Sequence, residues 1–122
     1  MGRIIYANTH AEFLNQCFGK NYKAFMKSRW PYDEETWVWM IKTDHQVRDG
    51  WMNNIVSENE VWEEYIGDEP PTFKTEKERK YRIVVSVQEG INGREYHILG
   101  KYQYSKEESK IGRNVLIKVC EF

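Results

Sequence analysis

The sequence predicts an α+β fold: a small, barrel-like, mostly antiparallel sheet with one capped helix near the N-terminus. Three observations carry this. Thr9 and Glu12 stand three apart, just ahead of apolar residues at helical spacing. Runs rich in β-branched and aromatic residues alternate with turn signals such as Asp49-Gly50 and Asn92-Gly93. The run Thr36–Lys42 (TWVWMIK) is apolar at both alternating sets of positions, as a strand covered on both faces requires. A chain of 122 residues suits a single domain, residues 1–122, that buries a core without disulfides or metal.

Arg3–Ala7 (RIIYA) is expected as a first strand. Thr9 and Glu12 form a capping box, in which each side chain satisfies a backbone N–H at the open end of a helix. Phe13, Leu14, Cys17 and Phe18 continue the helical spacing and Gly19 ends it, so a helix is expected over about residues 10–18. Lys20–Arg29 fits a helix with Lys20, Lys23 and Lys27 on one face, an irregular segment, or a strand entering the core. Pro31 disfavours helix at Trp30. Thr36–Lys42 is a strand, with Trp37, Trp39 and Ile41 on one face and Val38 and Met40 on the other. Trp51–Val56 returns from the polar run before it.

Ser57–Gly67 reads either as a capped helix or as a hairpin turn and strand; the β context favours the strand. Asp68–Lys80 is a charged loop interrupted by Pro70-Pro71. Tyr81–Gln88 and Tyr96–Tyr104 make a hairpin about Gly90 and Asn92-Gly93. Tyr96, Ile98, Tyr102 and Tyr104 share one face with Gly100, where a bulge or bend is expected. Ser105–Gly112 is a polar loop, and Asn114–Cys120 closes the sheet.

The net charge of −1 conceals an asymmetry: local charge is +4 over residues 1–29, −9 over 30–71 and +4 over 72–122. Cys17 and Cys120 lie far apart with no CxxC, as two free, buried thiols in a reducing cytosol would. No apolar run approaches the roughly 20 residues that span a bilayer. The N-terminus lacks a signal peptide's apolar core. A cytoplasmic protein without membrane contact is expected.

No P-loop, GxGxxG, GxSxG or HExxH motif is present. His10, His45 and His97 fall in three different elements, and His10, in a first helical turn, is expected to be neutral. No catalytic residue, metal ligand or cofactor is therefore assigned. Asp44, His45 and Asp49 form the one cluster suited to metal-dependent chemistry, and a polar turn explains them as well. That leaves binding. All five tryptophans lie between residues 30 and 62. Trp37 and Trp39 suit the core. Trp30 and Trp51, at the ends of polar turns, and Tyr32 suit base stacking. Lys20, Lys23, Lys27 and Arg29 suit phosphate contacts. Asp49 or Asn53 would reach a base edge. A second basic set, Lys74, Lys77, Arg79, Lys80 and Arg82, alternates with Glu76 and Glu78 and reads as a solvated mixed face.

The hairpin Tyr81–Tyr104, with RIVVSV and REYHILGKYQY, and the SKEES loop after it accompany the capped helix and the aromatic middle. Together they resemble the PUA-like superfamily, which includes the SRA and EVE-type readers of modified bases, and small domains of bacterial modification-dependent restriction systems. The resemblance implies a concave face that takes a flipped, modified base between aromatics, with basic loops on the phosphates. The acidic middle departs from it, because it would repel DNA unless it faces away. The leading expectation is a non-enzymatic module that binds DNA or RNA, modified or plain. The alternative is a protein-binding module, such as a phage-type inhibitor or accessory subunit. It would present Asp33, Glu34, Glu35, Glu63, Glu64, Asp68 and Glu69, which look like solvated turn and edge positions, to a basic protein partner. A small metal-dependent enzyme is third.

Overall fold

The computed structural model describes residues 3–42, 47, 50–67, 79–91 and 93–122. In chain order the elements are β1 (Ile4–Ala7), α1 (His10–Phe18), β2 (Arg29–Asp33), β3 (Thr36–Ile41), β4 (Trp51–Ser57), β5 (Glu60–Tyr65), β6 (Tyr81–Gly90), β7 (Gly93–Tyr104) and β8 (Arg113–Cys120). The strands form one sheet in the order β2-β3-β6-β7-β8-β5-β4, and β1 pairs with the first part of β7. Among the described residues only β3 and β6 run parallel, and every other pair of strands is antiparallel. The sheet is not closed into a barrel, since β2 and β4 are left as its two ends.

The helix forms where its caps demand. Thr9 Oγ1 accepts the Glu12 N–H at 3.2 Å, and Glu12 reaches back to the Asn8 N–H at 2.8 Å, one residue upstream of the usual capping-box partner. Gly19 takes the left-handed conformation and donates its N–H to the Asn15 carbonyl, ending the helix. Phe13 and Leu14 are fully buried and pack on the sheet.

β3 is covered on both faces, as its sequence predicts. Val38 and Met40 join Ile83, Val85, Val87, Tyr96 and Ile98 under the helix. Trp39 and Ile41 join Val84, Tyr102, Leu116 and Val61 on the opposite face. Val61 comes from β5, far along the sheet from β3, so the sheet must curl to bring the two together.

The expected bend in β7 is present, and its effect is larger than the sequence suggests. Val84 pairs with Gly100 and Val85 with Ile98, so Leu99 is an extra residue. A one-residue insertion exchanges the faces of everything beyond it. Tyr96 and Ile98 therefore lie in the cluster under the helix, while Tyr102 lies in the other. They do not share a face, as simple alternation predicts.

Where the sequence disfavoured helix at Trp30 and made no assignment for the residues after it, β2 forms at Arg29–Asp33, and Pro31 is tolerated because β2 is an edge. One further reading is corrected. Cys120 is exposed rather than buried. The open choice at Ser57–Gly67 resolves to strand β5, flanked by β4 and β8. Among the described residues, no helix is long and apolar enough to cross a membrane.

Candidate functional site

The unclosed seam between the two ends of the sheet holds a cavity of about 470 Å³. One wall is the C-terminal end of β3, with Trp39, Ile41 and Lys42; the facing wall is Trp51 and Asn53 of β4 and Glu63 of β5. His10, Met26 and Ser28 complete the rim. Strand alternation explains the inward set. Trp51, Asn53 and Ile55 lie on one face of β4, and Ile55 packs on the core cluster that contains Trp39. Their partners across β5 are Tyr65, Glu63 and Val61.

Glu63 is the electrostatic centre of this cavity and is only 9% exposed. Its Oε1 accepts Asn114 Nδ2 at 2.8 Å and meets Arg82 Nη1 at 3.4 Å. Its Oε2 lies 3.8 Å from Arg29 Nη2, a contact that reaches from β2 to β5 across the seam. Arg82 is fully buried and lies over the Trp39 ring at 4.6 Å. A buried carboxylate is costly unless cations and N–H donors surround it, and here both do. Glu63 and Arg82 are thus corrected: neither is the solvated surface charge their sequence neighbours suggest.

At the other side of the rim, His10 Nδ1 lies 2.7 Å from the Tyr96 hydroxyl, and the Arg94 guanidinium is near enough to act on the same hydroxyl. Burial, aided by the nearby charges of Arg94 and Lys42, lowers the His10 pKa to about 4. The imidazole is neutral at physiological pH, as its place in the first helical turn suggests. Lys42 is itself tied to Glu89 at 3.5 Å.

The other residues singled out by the sequence are scattered. Trp30 is buried under the helix, stacked on Phe18 at 4.9 Å, with its Nε1 donating to the Tyr22 hydroxyl at 3.0 Å. Tyr32 packs on Phe18 and Phe122. Neither lines the cavity. Lys20 lies over the Trp30 ring, Lys23 and Lys27 are exposed, and Arg29 faces Glu63. Asp44, His45, Asp49, Lys74, Lys77, Asp68 and Glu69 lie outside the described residues. Sequence reasoning found Trp51 and Asn53 but assigned Trp39 to the core, read Glu63 as a solvated charge that could meet a protein partner, and passed over Lys42 and Met26. The signal for Glu63 was available: in EVWEEY it shares the alternating face of Val61 and Tyr65. A larger hollow of about 850 Å³ lies beside Arg79, Lys80, Tyr104 and Lys106, but no described residue lining it is buried. Among the described residues, no three His, Cys, Asp or Glu side chains are grouped to hold a metal.

No curated protein matches the sequence. Among solved structures, the 5-hydroxymethylcytosine-specific restriction enzyme AbaSI matches with a TM-score of 0.69 and 21% identity, over 98% of this chain. The match spans 39% of that enzyme, and at this identity it is a likeness of fold. The family model of the SET and RING associated domain matches residues 3–120, almost the whole sequence. The chain therefore belongs to the SET and RING associated (SRA) domain family, within the PUA-like group that its hairpin and capped helix resemble.

Proposed function

We propose that this chain is a DNA-binding module that takes a modified base, turned out of its duplex, into the seam cavity. The observation that carries this is the cavity's composition: two indoles, one amide and one buried carboxylate, in a space that opens to solvent between two strand ends. A base held outside the stack needs apolar or aromatic walls and polar groups at its Watson–Crick edge. Trp51 is the accessible wall, with Trp39 and Ile41 beneath. Asn53 offers both a donor and an acceptor, and Glu63 accepts. An acceptor at this depth favours a base with an exocyclic amine, such as cytosine, over thymine, which presents a carbonyl there. The 5-hydroxymethylcytosine specificity of AbaSI makes a 5-substituted cytosine the first probe to try. Lys23 and Lys27 lie exposed in the segment on either side of Met26 and would meet the flanking phosphates. Met26, 91% exposed at the rim, would fill the gap left in the stack, as apolar wedges do. Trp30 and Tyr32 have no part in the cavity on this reading.

The test is fluorescence anisotropy with duplexes that differ at one position: 5-hydroxymethylcytosine, 5-methylcytosine or cytosine. Tighter binding of a modified duplex is expected. Trp51→Ala should weaken it by about 1–3 kcal/mol, the usual worth of one base on one aromatic face. Equal affinity for all three duplexes in the unaltered protein would overturn the proposal.

A further inference from the structure

We propose that His10 serves the cavity as a hydrogen-bond donor, its Nε2–H meeting a phosphate oxygen of the nucleotide that enters beside Lys42. This rests on the seam cavity being the base site. Three observations fix the donor. The Arg94 guanidinium, which has only N–H groups, lies close enough to act on the Tyr96 hydroxyl, so that hydroxyl turns its oxygen lone pairs towards it and its proton away. The Tyr96 hydroxyl proton is then directed to its other neighbour, His10 Nδ1, 2.7 Å away. A neutral imidazole that accepts at Nδ1 carries its proton on Nε2. Tyr96 is itself held by stacking on Phe13 at 4.6 Å with the rings 9° apart, so its hydroxyl stays beside His10 Nδ1.

The placement suits an anion. His10 and Lys42 line the same cavity from different elements, the start of α1 and the end of β3. Among the described residues, the charged and titratable groups around the ring are Arg94 and Tyr96 of β7 and Lys42, with Glu12 of α1 and Glu89 of β6 acting on Tyr96 and Arg94. Cations are the immediate charged neighbours of the imidazole, and they oppose its protonation. A phosphate arriving there offsets them. DNA binding and proton uptake at His10 are therefore linked: each favours the other.

The test is an NMR pH titration of the His10 ring in the free protein and in complex with a duplex carrying 5-hydroxymethylcytosine. The His10 pKa should rise by at least one unit on binding, and affinity at constant salt should tighten by about twofold or more between pH 7 and pH 5. His10→Gln, which keeps an N–H donor near the Nε2 position, should retain affinity at pH 7 and lose that pH dependence. His10→Phe should lose affinity about tenfold at both values. An unmoved or lowered His10 pKa in the complex overturns the inference, as does wild-type affinity in His10→Phe. A base preference that persists in either case leaves the cavity reading intact; loss of that preference in the unaltered protein is the separate failure described above.

Discussion

Glu63 holds a charge where charges are costly, and its surroundings explain how. Two guanidinium groups and the Asn114 amide share one carboxylate in the interior of a curled sheet. Such an arrangement adds little net stability over an apolar replacement, but breaking it from one side leaves charge uncompensated. Glu63→Ala is expected to lower the free energy of unfolding by about 3 kcal/mol. Glu63→Gln keeps the shape and can still accept from Asn114, so its cost should be nearer 1 kcal/mol. Urea denaturation of the two variants checks the ordering; equal, small losses would mean that Arg82 does not depend on this partner. The sequence shows Glu63 as one of eleven acids in a −9 segment. Its alternation with Val61 and Tyr65 shows which face of the strand it shares, but the depth of its burial depends on which strands flank β5, and those pairings join distant segments.

At the scale of elements, β7 decides the most. It pairs along one side with β6 and divides its other side between β1 and β8. The change of partner falls at the bulge, where Gly100 has φ of 142°. A Cβ there would stand 2.7 Å from Lys118 Cε and 2.9 Å from the Cys120 carbonyl oxygen. The lysine end can move aside, but the carbonyl belongs to the paired strand. Gly100→Ala should therefore destabilise by about 1–3 kcal/mol, as strained backbone positions do. A thermal melt checks this, and an unchanged midpoint would mean the bulge relaxes without loss. The site of the bend was legible because glycine among tyrosines on a strand face is out of pattern. Which side chains it redirects was not, since that follows from the extra residue rather than from the glycine.

For the whole molecule, charge is partitioned between the two ends of β3. The cavity lies at the C-terminal end, and the acidic turn Asp33–Glu35 at the other. Glu63 is buried, Glu64 meets Arg113 at 3.8 Å, and Glu60 accepts Trp62 Nε1 at 2.7 Å. Among the described acids of the middle segment, these are thus neutralised by partners or lie away from the cavity. Stability should also depend on pH through His10, which sits between the helix and the sheet. Its folded pKa, about 4, lies below the 6.5 of a free imidazole. Between those values the unfolded chain takes up a proton that the folded chain refuses, so stability is complete above about pH 6.5 and falls as pH drops towards 4. The half-exposed ring limits the loss to about 1–2 kcal/mol. Denaturation curves at pH 7 and pH 4.5 should show that difference, and His10→Gln should remove it; an equal difference in the variant would assign it to other groups.

What neighbours along the chain can settle was legible before the fold was known. The helix has its caps within eleven residues, β3 shows both apolar faces in six, and the Trp51–Asn53 alternation places two cavity residues on one side of a strand. Local dihedral preference and the two-residue period are enough for these. Only the tertiary structure decided that Trp30 would be sealed beneath the helix while Trp39 and Trp51 face each other across a seam. That choice depends on which strands end the sheet and how far it curls, and both follow from pairings between segments tens of residues apart. The physical reason is that period and propensity act over a few residues, whereas a cavity is the space left between surfaces brought together by the packing of the whole chain.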